Sequence, residues 1–326
     1  MSFYSKLKWL TLSSLGIMAF FAVDLSLSAP KKVTRIAIIQ IVEHLALNQT
    51  RQGIMDTLKD HAIQIDYQSA QGNSALATQI AQQFVGSSPA VLVGIGTTAS
   101  QALISADQYR KIPIVFSSVT DPVGSKIVQN LKHPDGIVTG VSNFIDPALQ
   151  FDFMKKLMPT LTRVGIIYNA GEANSVALVE QMKKIAKEKN LILRLATANT
   201  SVDVVEATHK LIPEVQAIFI NNDNTALSAF DSIIKISTKD KIPVFCSDID
   251  MIDRGAFAAL GPNQYAIGRQ TGQLILAILK GDKPSALPIL FPDKTVMRFN
   301  LEQAKKLGIT IPDTLLQSQQ TETNQS

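Results

Sequence analysis

Six short polar segments hold the residues of this chain whose types could do chemistry: Glu43-His44, Thr97-Thr98, Ser117 to Asp121, Asn169 to Ser175, Asn222 to Asn224, and Ser247-Asp248. Together they offer small hydroxyls, amides and isolated carboxylates, with no lysine or arginine among them. An anion held by such a set relies on backbone N–H groups at helix N-termini, which Thr97-Thr98 and Asn174-Ser175 could present. Asp248, Asp121 or Glu43 could hold an ammonium through charge-assisted hydrogen bonds. A zwitterion such as an amino acid suits that inventory, and a phosphate or polyanion suits it poorly.

Each residue also has a plainer reading. Thr98, Asn174 and Asn224 fit helix caps, a position that favours Ser, Thr, Asn and Asp in any protein. Glu172 fits a solvent-facing side chain. His61, His133 and His209 sit among polar residues and read as surface, while His44 at a strand end fits either a ligand contact or a structural role. The weight rests on the set.

Catalytic and cofactor patterns are missing. Gly94-Ile-Gly96-Thr-Thr-Ala99 matches G-x-G-x-x-A after a strand, but no acidic residue ends the next strand, as a dinucleotide site requires. Tight packing at a strand-to-helix turn accounts for both glycines. The sequence contains no G-x-S-x-G, H-E-x-x-H or CxxC, so no catalytic residue, cofactor or metal is expected. The single cysteine, Cys246, lies in an apolar run and reads as a buried, inert thiol.

Every polar segment follows a stretch that reads as a strand. The run TRVGIIYNAGEANS, Thr162 to Ser175, has Val164, Ile166 and Ile167 in a strand. A small-residue loop follows, then Val176, Val179, Met182 and Ile185 at helical spacing. Thr34 to Gln40 repeats the strand, and Ala90 to Ile95 and Ala217 to Ile220 form a second matching pair. Lys111-Ile-Pro-Ile-Val-Phe116 and Lys241-Ile-Pro-Val-Phe-Cys246 form a third. The pattern predicts two copies of one α/β design with parallel, doubly wound sheets, each flavodoxin-like. Helices are expected at Asn48–Asp60, Ala75–Val85 and Tyr265–Lys280, and after Gly96, Ser175 and Asn224. Thr139–Asn143, Leu260–Gln264 and Pro284–Pro292 read as three crossovers.

The 326 residues, 46% hydrophobic and 18% charged, suffice for two packed lobes. The net charge of +4 is small and dispersed, which argues against nucleic acid. Lys6 and Lys8, the apolar stretch Trp9 to Val23 and the small residues Ser26 to Ala29 read as a secretory signal over residues 1–29. A retained anchor is the alternative. No cysteine lies near that signal for lipidation, so a periplasmic location is expected. Lobe one is assigned 34–141 with 262–284, lobe two 142–261 with 285–315, and 316–326 is a polar, disordered tail.

Four runs carry a family likeness: Ile39 to His44, Lys111 to Gly124, Tyr168 to Ser175, and Gly268-Arg-Gln-Thr-Gly272. Together they resemble the substrate-binding proteins of ABC transporters, in the family with tryptophan- and other aromatic-amino-acid-binding members. The likeness runs from Thr34 to about Pro312. It implies a type I periplasmic-binding fold with three crossovers, a small solute held between the lobes, an ABC permease as membrane partner, and no catalysis. Carried over by motif, the site residues are Glu43, Thr97, Thr98, Ser117, Ser118, Thr120 and Asp121 in lobe one. In lobe two they are Asn169, Glu172, Asn174, Ser175, Asn224 and Asp248. The chain departs from the family pattern at Leu45 and Asn48, where proline and aspartate are usual. A sensory module presenting solute to a membrane receptor, or an exported two-lobed enzyme, are the rival expectations.

Overall fold

β1 (Thr34–Gln40) forms where the apolar run predicts it, with the same bounds. Ile36, Ala37, Ile38 and Ile39 are all fully buried, as a parallel strand covered on both faces requires. The structure, a computed structural model, describes residues 33–134 and 136–317. The signal expected over 1–29 and the tail beyond 317 lie outside the described residues.

After β1 come α1 (Leu45–Leu58), β2 (Ile63–Ser69), α2 (Ser74–Ser87), β3 (Val91–Ile95), α3 (Thr97–Ala106), β4 (Ile114–Val119) and β5 (Val138–Ser142). A second run holds α4 (Pro147–Leu157), β6 (Arg163–Tyr168), α5 (Ala173–Glu188), β7 (Ile192–Thr197), α6 (Asp203–Leu211) and β8 (Ala217–Ile220). It continues through α7 (Asn224–Ser228), α8 (Phe230–Lys239), β9 (Val244–Cys246) and β10 (Ala258–Pro262). The remaining elements are α9 (Gln264–Leu279), β11 (Thr295–Phe299) and α10 (Leu301–Leu307).

The strands make two sheets, ordered β2-β1-β3-β4-β5 and β7-β6-β8-β9-β10-β11. The first five strands of each follow the flavodoxin-like order, whose direction of winding reverses between the unit's first and third strands. All pairings are parallel except that of β10 with β11. The expected doubly wound α/β architecture is therefore present twice. Pro113 and Pro243 each stand just before a strand, where the carbonyl still accepts a neighbour's N–H and no ladder donor is lost.

Three features differ from the sequence reading. Thr139–Asn143 and Leu260–Gln264 read as crossovers, yet β5 and β10 occupy most of them as paired strands. Their small and polar residues hide the strand signal, and close approach needs them. A Cβ on Gly140 would lie 2.3 Å from the Phe116 carbonyl oxygen, and one on Gly261 would lie 1.7 Å from that of Ser247. Next, α1 begins at Leu45 instead of Asn48, which puts His44 in extended conformation at its N-cap. Finally, β4 runs past Phe116 and carries Ser117 inside the sheet.

Ser118 is a bulge in that strand. Ser117 pairs with Val141 and Val119 with Ser142, so Ser118 is the extra residue, held at φ +54°. Such a bulge turns one side chain away from the ladder. Here it aims the Ser118 hydroxyl at α1 and α9.

The chain passes between the sheets three times. Beyond β5 it enters α4, whose Phe151, Phe153 and Met154 join the core of the second sheet. Beyond β10 it enters α9, whose Ile267, Leu274 and Ile275 pack into the core of the first. Residues 287–290 still run beside β5, with the Leu290 N–H donating to the Gly140 carbonyl at 2.9 Å, so the last passage starts beyond Leu290.

Candidate functional site

The carboxyl ends of β1, β3 and β4 meet those of β6, β8 and β9 around one narrow, partly enclosed cleft, drawn in so tightly that its free volume is about 10 Å³. In both sheets this is the crevice beside the reversal of winding, where open α/β sheets hold ligands. The wall is built from His44, Ala46, Leu47, Gly96, Thr97, Ser118, Thr120 and Asn143 on one side. Asn174, Asn222, Asn224, Leu227 and Asp248 face them, with Gln264 at the start of α9. Among the described residues the wall carries no Lys, Arg, Phe, Tyr or Trp.

Two helix N-termini contribute to the first side. α2, α4, α9 and α10 each have an Asn or Asp side chain accepting a first-turn N–H. α1 and α3 do not, and neither does α5 on the opposite side: His44 and Glu172 offer no side-chain cap and Gly96 has none to offer. Gly96 sits at φ +92°, and a Cβ there would lie 2.7 Å from Ile41 Cγ2. Uncapped first turns carry free N–H groups and the positive end of the helix dipole, an anion site in kind.

Acceptors mark the other side. Asp248 is 1% exposed; one oxygen accepts the Asp250 N–H at 3.1 Å, and Oδ2 has no partner among the described residues. Burial, and then the Asp250 charge, push its carboxyl up to about 8. Asn174 donates through Nδ2 to the Asn222 carbonyl at 2.8 Å, which leaves Oδ1 on the wall, also without a described partner. Burying such atoms unpaired costs of order 1–3 kcal/mol each. A donor-bearing solute removes that cost.

Hydrogen bonds tie the walls together. Ser118 Oγ and Thr50 Oγ1 both donate to Gln264 Oε1, at 3.0 and 3.1 Å. Asn222 Nδ2 lies 3.5 Å from Thr120 Oγ1, which donates to Asn143 Oδ1 at 3.0 Å. His44 Nε2 lies 3.1 Å from Asn224 Oδ1.

Of the residues predicted from sequence, Thr97, Ser118, Thr120, Asn174, Asn224 and Asp248 are on the wall. Thr98, Asn169 and Glu172 line an outer groove that runs on from the cleft between the same strand ends. Glu43 is exposed and engaged by Tyr67 and Arg51, which hold its carboxyl below the usual range. Ser117 is buried on Thr271 at 2.7 Å, and Ser175 donates to Asp223 at 2.6 Å. Asp121 turns back to accept the Gly124 N–H. Strand position turns Ser117 away, a tight turn Asp121, and helix geometry Ser175.

The sequence reading does not select Asn143, Leu227, Gln264, Ala46 or Leu47, and it has Asn222 in a polar segment without carrying it into the site. Asn143 and Gln264 follow the two strands read as crossovers, so their strand-end position was hidden. The aromatic residues nearest the rims are not on the wall. Phe116 is fully buried in the first core, and Phe144 and Tyr168 pack on the second. Cys246 is buried, its thiol pushed well up by burial.

Comparison with known proteins places these features. A family model described as ABC transporter substrate binding protein matches residues 35–323. A tyrosine-binding protein of Clostridioides difficile (strain R20291) is 30% identical over 285 residues, 86% of this chain and 82% of that one. An ABC domain from Streptococcus pneumoniae in complex with L-Trp is 30% identical, with TM-score 0.83 over 87% of this chain and 97% of that chain. A substrate binding protein with adhesive properties from Clostridium difficile, in its ligand-free, open structure, is also 30% identical. Its TM-score is 0.65 over 86% of this chain and 96% of that chain.

Proposed function

The chain belongs to the ABC transporter substrate-binding proteins, and from that premise we propose that it captures an amino acid by closing two lobes around it and delivers it to a membrane permease. The observation that carries this reading is the division of the wall. Uncapped N-termini of α1 and α3 supply donors for a carboxylate, and Asp248 Oδ2 with Asn174 Oδ1 supplies acceptors for an ammonium. Thr97, Ser118, Thr120 and Asn224 complete the contacts around the solute. The C. difficile relative named for tyrosine and the L-Trp complex support an amino-acid solute.

Closure has its own support. At equal identity, this structure superposes better on the L-Trp complex than on the ligand-free, open relative. A closed arrangement stabilised by solute is what a permease can distinguish from an open one. The signal-like segment at 1–29 supports export to the periplasm, and no helix among the described residues is long and apolar enough to cross a membrane.

A thermal-shift screen of the chain from Pro30 onward, against the amino acids, sugars and small peptides, tests the reading. A solute at a hundred times its dissociation constant adds about 2.7 kcal/mol of stability. A response confined to sugars would overturn the amino-acid assignment.

A further inference from the structure

His44 stands at the N-cap of α1, yet its ring caps nothing. The ring is 8% exposed and forms part of the pocket wall. Its Nε2 faces Asn224 Oδ1, 3.1 Å away, on the opposite side of the cleft. The identity of that Asn224 atom is fixed by its neighbours. Asn224 Nδ2 donates to Glu172 Oε2 at 2.6 Å, so the atom turned to His44 is the oxygen. Nε2 therefore carries the hydrogen. Burial pushes the imidazole down to about 4, so the ring is neutral and Nδ1 is a bare acceptor. Nδ1 is itself buried with no partner among the described residues.

We propose that His44 couples solute recognition to closure: Nδ1 accepts an N–H or O–H of the bound solute while Nε2–H donates to Asn224 across the cleft. This rests on the substrate-binding reading and adds to it a named link between pocket and lobes. The two bonds share one ring. A donor on Nδ1 makes Nε2–H a stronger donor, so each bond reinforces the other. The coupling is reciprocal, and whatever weakens the Asn224 bond also weakens the solute's. It also sets a selection rule, because a solute presenting an acceptor at Nδ1 leaves two lone pairs opposed.

Two substitutions separate the halves of the ring. In His44→Gln the amide nitrogen reaches the place of Nε2, keeping the donor to Asn224 and losing the acceptor. In His44→Asn the short amide occupies the place of Nδ1, keeping an acceptor and losing the reach to Asn224. Asn224→Ala removes the bridge with His44 intact. Closure is read in the solute-free protein from the distance between spin labels on Gln82 and Lys184, both exposed and on helices of opposite lobes. Recognition is read by calorimetric titration with L-tryptophan.

The expected pattern is a wild-type distance distribution for His44→Gln with at least tenfold weaker L-tryptophan binding. Asn224→Ala and His44→Asn should both shift the distribution towards longer distances. Wild-type affinity in both His44 variants would overturn the coupling and leave the binding function standing. Failure of the wild-type protein to bind L-tryptophan would count against the aromatic-amino-acid solute instead. The bridge would then be judged on the label distances, where an unchanged distribution in Asn224→Ala overturns it.

Discussion

The Glu172 carboxylate accepts both the backbone N–H and the side-chain amide of Asn224, at 3.0 and 2.6 Å, so a residue of the outer groove orients one on the pocket wall. Its other oxygen takes the N–H and hydroxyl of Thr225, at 3.0 and 2.8 Å. With Asn174 Nδ2 at 3.4 Å, five donors converge on one carboxylate.

Glu172→Gln should therefore act on binding from outside the wall. It turns one acceptor into a donor facing donors, a loss of about 1–3 kcal/mol. The melting temperature should fall, and L-tryptophan affinity should fall several-fold because Asn224 is released. The same change should lower the pKa of Asp223, which burial, and then the Glu172 charge, hold up near 7. Titration by carbon NMR checks that shift, and an unmoved Asp223 would show that burial alone sets it.

Asp248→Asn should trade function for stability. In the ligand-free fold its carboxyl is raised from 3.8 to about 8, so between those values the folded state holds a proton the unfolded chain has released. Stability then declines as pH rises through that window, by up to ~1.4 kcal/mol per unit. Asp223 acts in the same direction up to about 7. His44, lowered to about 4, acts oppositely between 4 and 6.5, where the unfolded chain binds the extra proton. Asp250, also raised by burial, acts in the same direction as Asp248. From pH 7 to 8 wild type should lose more stability than Asp248→Asn does. The variant should melt above wild type at pH 8, yet bind L-tryptophan at least tenfold more weakly. Parallel melting profiles for the two proteins would refute the assignment.

Gly268→Ala should damage the crossing of α1 and α9. The added methyl would lie 2.0 Å from the Thr50 carbonyl oxygen and 3.0 Å from Gly53 Cα, both backbone atoms of the facing helix. Overpacking of this kind costs about 1–3 kcal/mol. Because Thr50 and Gln264 from these two helices hold Ser118, binding should weaken as well. Gly86→Ala, in α2 with nothing within 4 Å, is the control and should be neutral or stabilising by up to ~1 kcal/mol. Chemical denaturation of both variants checks the contrast.

The fold was legible where strands are apolar, since β1 and β8 have the bounds their runs predict. It was illegible at β5 and β10, whose Thr139, Gly140, Ser142 and Gly261 satisfy close backbone approach and give no hydrophobic period. The edge strand β11 pairs antiparallel, against the βα repeat, so no periodic signal announced it. The site followed the same line. Strand-end position brings Thr97, Asn174 and Asp248 to the pocket wall, but does not say which way a side chain turns. Ser117 and Ser118 are adjacent and both meet α9, but at the bulge one hydroxyl is buried on Thr271 while the other reaches Gln264 on the wall. Whether Glu43 faces solute or turns to Arg51 depends also on the Tyr67 hydroxyl, which donates to it from β2 and which only tertiary structure brings close.

The central claim is that the pocket holds both charged groups of one amino acid. Calorimetric titration of the wild-type protein with L-tryptophan, tryptamine and N-acetyl-L-tryptophan tests it most directly. Tryptamine lacks the carboxylate meant for the α1 and α3 N-termini, and the acetylated compound lacks the ammonium meant for Asp248 and Asn174. The account predicts binding of L-tryptophan and at least a hundredfold loss for each of the other two. Binding of either as tight as that of L-tryptophan, or no binding of L-tryptophan at all, would contradict it.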